Sequence, residues 1–303
     1  MQVRLAALGH LTLADDPGVF GEGTRIAVQA FQRVRGLPTH GNVDDLTWST
    51  LLEAGWQLGS RLLYVSRPHL RGDDVATLQE TLAQLGFDPV RVDGIFGPQT
   101  EHALCEFQRN VGLPSDGTLT MSTLNQLRRL SGISTGRRLI SEARSANGLD
   151  AGTFTRTLIV HGTDPLAREL ITNVPYVTTV IHVDGDDEEA AKTANQFRAA
   201  LLLSFRERPA MVGVYLHYWQ SNRSHSVTGK RLAEALASSF DTVPGVQPVV
   251  VTGLSLPLLR ETQMATLQIE YGDLSPDAFS AVTRVLRTAI GDVFHNESTG
   301  LNL

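Results

Sequence analysis

One cysteine, Cys105, stands among 303 residues, so no disulfide can form within the chain. No apolar run approaches the ~18 residues that a membrane-spanning helix needs. The first ten residues, Met1 to His10, hold neither the apolar centre nor the cleavage site of an export signal. These three absences predict a cytoplasmic protein. Positive charge is also scarce. The 26 Lys and Arg face 32 Asp and Glu, a net charge of −6, which argues against nucleic acid as the main partner. The rest is ordinary for a globular protein, with 42% hydrophobic residues, and the length suggests two or three domains.

The first half reads as a duplication. Val19-Phe20-Gly21 and Thr24 return as Ile95-Phe96-Gly97 and Thr100, a spacing of 76. The same spacing carries Ala27, Phe31, Gln32 and Arg33 onto Ala103, Phe107, Gln108 and Arg109, and Gly36-Leu37-Pro38 onto Gly112-Leu113-Pro114. Matches at one fixed spacing mean an internal repeat. Each copy predicts three helices. In the second, Val75, Leu78, Leu82 and Leu85 recur at helical spacing and Gly86 stops them. Pro98 opens the next helix, Gly112 ends it, and Thr120 or Ser122 caps the third. The string Asp93-Gly94-Ile95-Phe96-Gly97-Pro98-Gln99-Thr100 resembles the three-helix peptidoglycan-binding module. The shared residues are mostly turn glycines and core aromatics, so they report the fold more directly than a sugar site; the resemblance implies peptidoglycan fragments as a ligand. Pro17 stands where Asp93 stands and the first helix begins abruptly, so the first copy reads as trimmed or eroded.

From Thr157 the period changes, with apolar strand-like runs alternating with helical ones, the pattern of an α/β layer fold. Strands are expected at 157–160, 176–183, 199–205, 211–219, 248–252 and 265–271, and helices near 165–172, 187–197, 227–240 and 276–293. The fold class is therefore two all-α modules in tandem, then an α/β domain with a twisted, mostly parallel sheet flanked by helices. The boundaries expected are a module at 1–55, a connector at 56–73, a second module at 74–131, a linker at 132–154, the α/β domain at 155–296 and a tail at 297–303.

Four pieces of the second half carry a further resemblance. Leu158 to Asp164 pairs a strand with a short turn; Glu188 to Arg206 is a helix followed by a strand; Ser226 to Ala233 opens another helix; Leu258 to Ser275 leads through Glu270-Tyr271-Gly272. Together they resemble the zinc-dependent N-acetylmuramoyl-L-alanine amidases. The resemblance implies two zinc-binding histidines, a zinc-binding glutamate and a separate catalytic glutamate. It puts Asp164 near the first histidine, Arg206 in place of the second, and Glu270 on the catalytic glutamate; neither Asp164 nor Glu169 aligns with the ligand glutamate. Arginine offers only protonated donors and cannot ligate a metal. The cofactor expectation is therefore none, with zinc lost, and the expected catalytic set is empty apart from a vestigial Glu270. A relocated metal site on His161, Glu270 and Glu207 is the fallback. Against it, strand histidines such as His161 and His217 are usually packed and hydrogen-bonded.

Two such modules before an amidase-like domain that carries arginine at this position resemble an actinobacterial, non-hydrolytic branch of that family. This implies a cytoplasmic regulator of cell-wall precursor synthesis, drawn to the membrane only through partners. The partners implied are a MurA-type enolpyruvyl transferase, a MurJ-type lipid II flippase, FHA-domain proteins and a Ser/Thr kinase, with Thr299 or Ser298 as the phosphosite. The rival readings are an active amidase with an atypical zinc site and a peptidoglycan-binding protein. With zinc gone, Glu270 needs a cationic partner, and Arg206 is the expected one.

Overall fold

The computed structural model describes residues 1–10, 15–131, 155–172, 174, 177–221 and 223–299, without the side chains of 295–299. The expected linker at 132–154 lies outside the described residues. The helical half and the sheet half are separate compact units.

In the helical unit, α1 (Gln2–Ala7), α2 (Glu22–Arg35) and α3 (Asp45–Glu53) surround Leu5, Val28, Phe31 and Leu51. The second copy, α4 (Asp73–Leu85), α5 (Pro98–Asn110) and α6 (Met121–Ser131), closes over Leu78, Leu82, Phe96, Leu104, Phe107 and Leu127. Gly36 and Gly86 end α2 and α4 in the left-handed conformation, and the Thr120 hydroxyl accepts from the Thr123 N–H at the start of α6. Each copy thus has its own core.

The repeat is written in hydrogen bonds as well as in packing. The side-chain oxygen of Gln32 accepts from the Gly41 N–H (2.9 Å), while its NH2 donates to the Asn42 carbonyl (2.8 Å) and the Thr47 hydroxyl (3.0 Å). Gln108 does the same with Gly117, Thr118 and Thr123. The first loop of each copy repeats the device, Gln79 with Gly94, Ile95 and Thr100, and Gln2 with Gly18, Val19 and Thr24. All four glycines have φ between 68° and 88°, a conformation in which any other residue is strained. A glutamine clamp therefore ties each loop to a helix through the loop's backbone groups. The first copy keeps both clamps, although its α1 has six residues against thirteen in α4. Asp93 accepts from the Ile95 N–H, whereas in the first copy Pro17 has no carboxylate and Asp15 accepts from a different set, the N–H groups of Gly21, Gly23 and Thr24.

Residues 56–73 are not a free connector. Leu63 is fully buried in the second core and pairs antiparallel with Leu119, while Arg71 pairs with Ile95. The apolar residues in this stretch, Leu58, Leu63, Val65 and Leu70, are what draw it in. Asp73 at the start of α4 meets Arg35 at the end of α2 through two hydrogen bonds of 2.6 and 2.9 Å.

The sheet unit runs β1 (Thr155–His161), α7 (Pro165–Leu170), β2 (Thr179–Val183), α8 (Asp187–Gln196), β3 (Ala199–Glu207), β4 (Val214–Trp219), α9 (Val227–Phe240), β5 (Val249–Leu254), α10 (Pro257–Glu261), β6 (Ala265–Tyr271) and α11 (Pro276–Thr299). The six strands stand in the order β2-β1-β3-β6-β4-β5. Every neighbouring pair is parallel except β4 with β6. One face of the sheet joins α7, α9 and α11 in the larger core, with Leu203, Phe205, Leu216, Leu267 and Ile269; the other meets α8 and α10 through Ile159 and Leu202. Helix α10 was not expected. Helix α11 runs past residue 293 to Thr299, through the beginning of the stretch expected as a tail; residues 300–303 and the side chains of Ser298 and Thr299 lie outside the description.

Candidate functional site

Side chains alternate between the faces of a strand, so residues in register on neighbouring strands share a face. That rule builds a polar row across the sheet. His161 on β1 is in register with Ser204 on β3, Ser204 with Gln268 on β6, and Gln268 with His217 on β4. All four are buried. Two residues further along, Arg206 is in register with Glu270, and Glu270 with Tyr215.

The partners of this row are local. His161 Nδ1 lies 3.0 Å from the Ser204 hydroxyl and its Nε2 lies 3.1 Å from the Gly185 carbonyl, so both ring nitrogens are engaged. The guanidinium of Arg206 donates to the carboxylate of Asp187, in the first turn of α8. That carboxylate also stands 3.9 Å from His161 Nδ1. Glu270 accepts from the Gln268 side-chain amide at 3.0 Å, with Arg208 at 3.6 Å and His217 Nε2 at 4.0 Å. Burial pushes the His217 imidazole down in pKa, against the Glu270 carboxylate and the Thr252 backbone, which favour the protonated ring.

The expected pairing of Arg206 with Glu270 is therefore wrong in its partner. The two are cross-strand neighbours, yet their charged ends part. Arginine is long, and beside a shorter glutamate it carries its charge onward to Asp187 at the α8 N-terminus, where acidic residues gather; Glu270 is met by Arg208 instead. Asp187 and Arg208 went unnoticed in the sequence, because a carboxylate in a helix's first turn usually reports only the helix dipole.

Asp164 does not join them. Its carboxylate caps α7 through the Ala167 N–H (3.1 Å) and accepts from the Tyr271 hydroxyl at 2.8 Å. Tyr271 follows Glu270 on the strand and so points to the opposite face. Burial, then the Asp164 charge, raise the Tyr271 hydroxyl's pKa far above its ordinary value, which keeps it a donor. Glu169 is turned to Arg287 on α11 at 3.0 Å. The positions that the resemblance assigns to zinc are turned elsewhere, Asp164 to Tyr271 and the α7 N-terminus and Arg206 to Asp187, and no three His, Cys, Asp or Glu gather as a metal site among the described residues. The fallback set of His161, Glu270 and Glu207 is not brought together as such a group either.

Among known proteins, a family profile described as a peptidoglycan binding domain matches residues 1–51 and 71–127. The N-acetylmuramoyl-L-alanine amidase CwlM of Mycobacterium tuberculosis is 34% identical over 325 aligned positions, covering 90% of this chain and 78% of that protein. The N-acetylmuramoyl-L-alanine amidase CwlL of Bacillus licheniformis is 30% identical over 151 positions, 43% of this chain and 42% of that one. In structure, the chain is similar to the amidase Ami1 of Mycobacterium smegmatis at 12% identity and a TM-score of 0.36, over 48% of this chain and 98% of that one; a likeness so distant says nothing about the site.

Proposed function

We propose, for a chain that belongs to the family of CwlM-like N-acetylmuramoyl-L-alanine amidase homologues, that the amidase fold here acts without hydrolysis, as a protein-binding regulator of peptidoglycan precursor synthesis in the cytoplasm. The observation that carries this reading is Arg206. The resemblance puts it where an amidase has a zinc-binding imidazole, and its charge is balanced by Asp187. A guanidinium offers no lone pair to a metal, and without the metal no hydroxide is generated for amide attack. What the domain then offers is surface. The proposed partners are an enolpyruvyl transferase, a lipid II flippase and FHA-domain proteins, with a Ser/Thr kinase acting at Thr299 or Ser298. A phosphate there adds about −1.5 to −2 charge, enough to recruit an arginine-lined reader.

The second reading, an active amidase with an atypical site, is favoured by the names of the relatives, all of them amidases. Metal analysis and muropeptide digestion of the purified chain separate the two. The regulator reading expects less than a tenth of an equivalent of zinc and no release of free peptide. One equivalent of tightly held zinc, with cleavage that stops on chelation, overturns it.

A further inference from the structure

The two copies of the helical module differ in one covered edge. In the second, Phe96 is 0% exposed and Ile95 8%; their counterparts in the first, Phe20 and Val19, are 49% and 55% exposed. The cover in the second copy is residues 63–72. Leu119 N–H donates to the Leu63 carbonyl at 2.8 Å, Phe96 N–H to the Leu70 carbonyl at 2.8 Å, Gly72 N–H to the Gly94 carbonyl at 3.0 Å, and Arg71 pairs antiparallel with Ile95. The matching edge of the first copy, Val19-Phe20 with Val43 in the place of Leu119, is left without such a strand among the described residues.

Charge says what would fit there. The edge is flanked by Asp15-Asp16 and by Asp44-Asp45, and the stretches 5–24 and 36–60 contain no Lys or Arg. The cover of the second copy has the opposite character: residues 56–72 carry Arg61, Arg67 and Arg71 and no acidic side chain. We infer that the Val19–Phe20 edge of the first module is a docking site for an extended, basic, leucine-bearing segment of a partner protein. The segment adds as a short antiparallel strand, accepts from the Phe20 N–H as Leu70 accepts from Phe96, and lays a leucine over the Phe20 ring. Backbone pairing supplies the register and the apolar contact supplies most of the affinity. Arginines beside the acidic turns make the association salt-sensitive.

The test uses the full chain and a fluorescent peptide with the sequence of residues 58–72. Anisotropy is expected to show saturable binding that weakens at least about tenfold in Phe20→Ser, persists in Phe20→Leu, and falls as salt rises; the exposed Val212→Ser is the unaffected control. Amide exchange is expected to slow at Phe20 when the peptide is present, a readout that stands even if Phe20→Ser folds poorly. Equal binding of a scrambled peptide, no change in Phe20→Ser, or no protection at Phe20 overturns the inference. So does displacement of the peptide by muropeptides, which would make the edge a glycan site, or self-association of the chain that Phe20→Ser abolishes, which would make the occupant a second copy.

Discussion

Phe20 and Phe96 hold the same place in two copies of one module, and only Phe96 is buried. Around them the glutamine clamps match. Gln2 and Gln79 clamp the same kind of loop, through a glycine N–H, a carbonyl and a threonine hydroxyl. What differs is a strand that reaches Phe96 from outside the module's three helices. A duplicated sequence thus fixes its own hydrogen bonds, because those partners lie within about twenty positions of one another. Burial of a given side chain depends on segments that the repeat unit does not contain.

The sharpest test of that contrast is a matched pair of truncations. Phe96→Ala empties a packed core position and should cost about 3–5 kcal/mol in urea unfolding, whereas Phe20→Ala, at a half-exposed position, should stay within about 1 kcal/mol. Equal losses would mean that the two positions are buried alike in solution.

A smaller effect is expected where the copies meet. Burial works to raise the pKa of the Asp73 carboxyl, but the Arg35 guanidinium and the Gly55 N–H outweigh it and hold the group below its ordinary value of 3.8. The folded chain therefore binds fewer protons than the unfolded chain in the window below 3.8. The resulting stabilisation is complete above that pH and is lost as pH falls through the lower folded value. Asp73→Asn should cost about 1–3 kcal/mol at pH 7 and flatten the acid limb of the stability curve. An unchanged acid limb would show that the two modules are held together by other contacts.

The smallest change is expected in the sheet unit. Arg206 and Asp187 are each about a third exposed at the side chain, and water and salt weaken such a pair. Arg206→Ala should shift stability by no more than about 1 kcal/mol, less than Asp73→Asn. A loss of several kcal/mol, measured by thermal or urea unfolding, would mean that the pair braces the sheet.

Much of this was open to reading in the chain itself. Period-two and buried apolar runs placed all six strands to within a few residues, and the fixed spacing exposed the duplication and its turn glycines. Helix α10 was passed over because five residues give too little periodicity to register. The polar row was hidden for another reason. His161, Ser204, Gln268 and His217 come from four separate strands, and nothing in a linear pattern reveals which strands become neighbours.

The sequence by itself determined the three-helix repeats, the alternation that sends Glu270 and Tyr271 to opposite faces, and the arginine at 206 that no metal can use. These depend on neighbours along the chain and on the chemistry of single side chains. Tertiary structure alone decided that Arg206 answers Asp187, that Glu270 answers Arg208, and that Phe20 lies open while Phe96 does not. Those outcomes rest on strand order and on the reach of long side chains across it, where a charge takes whichever partner the packing brings within hydrogen-bonding distance.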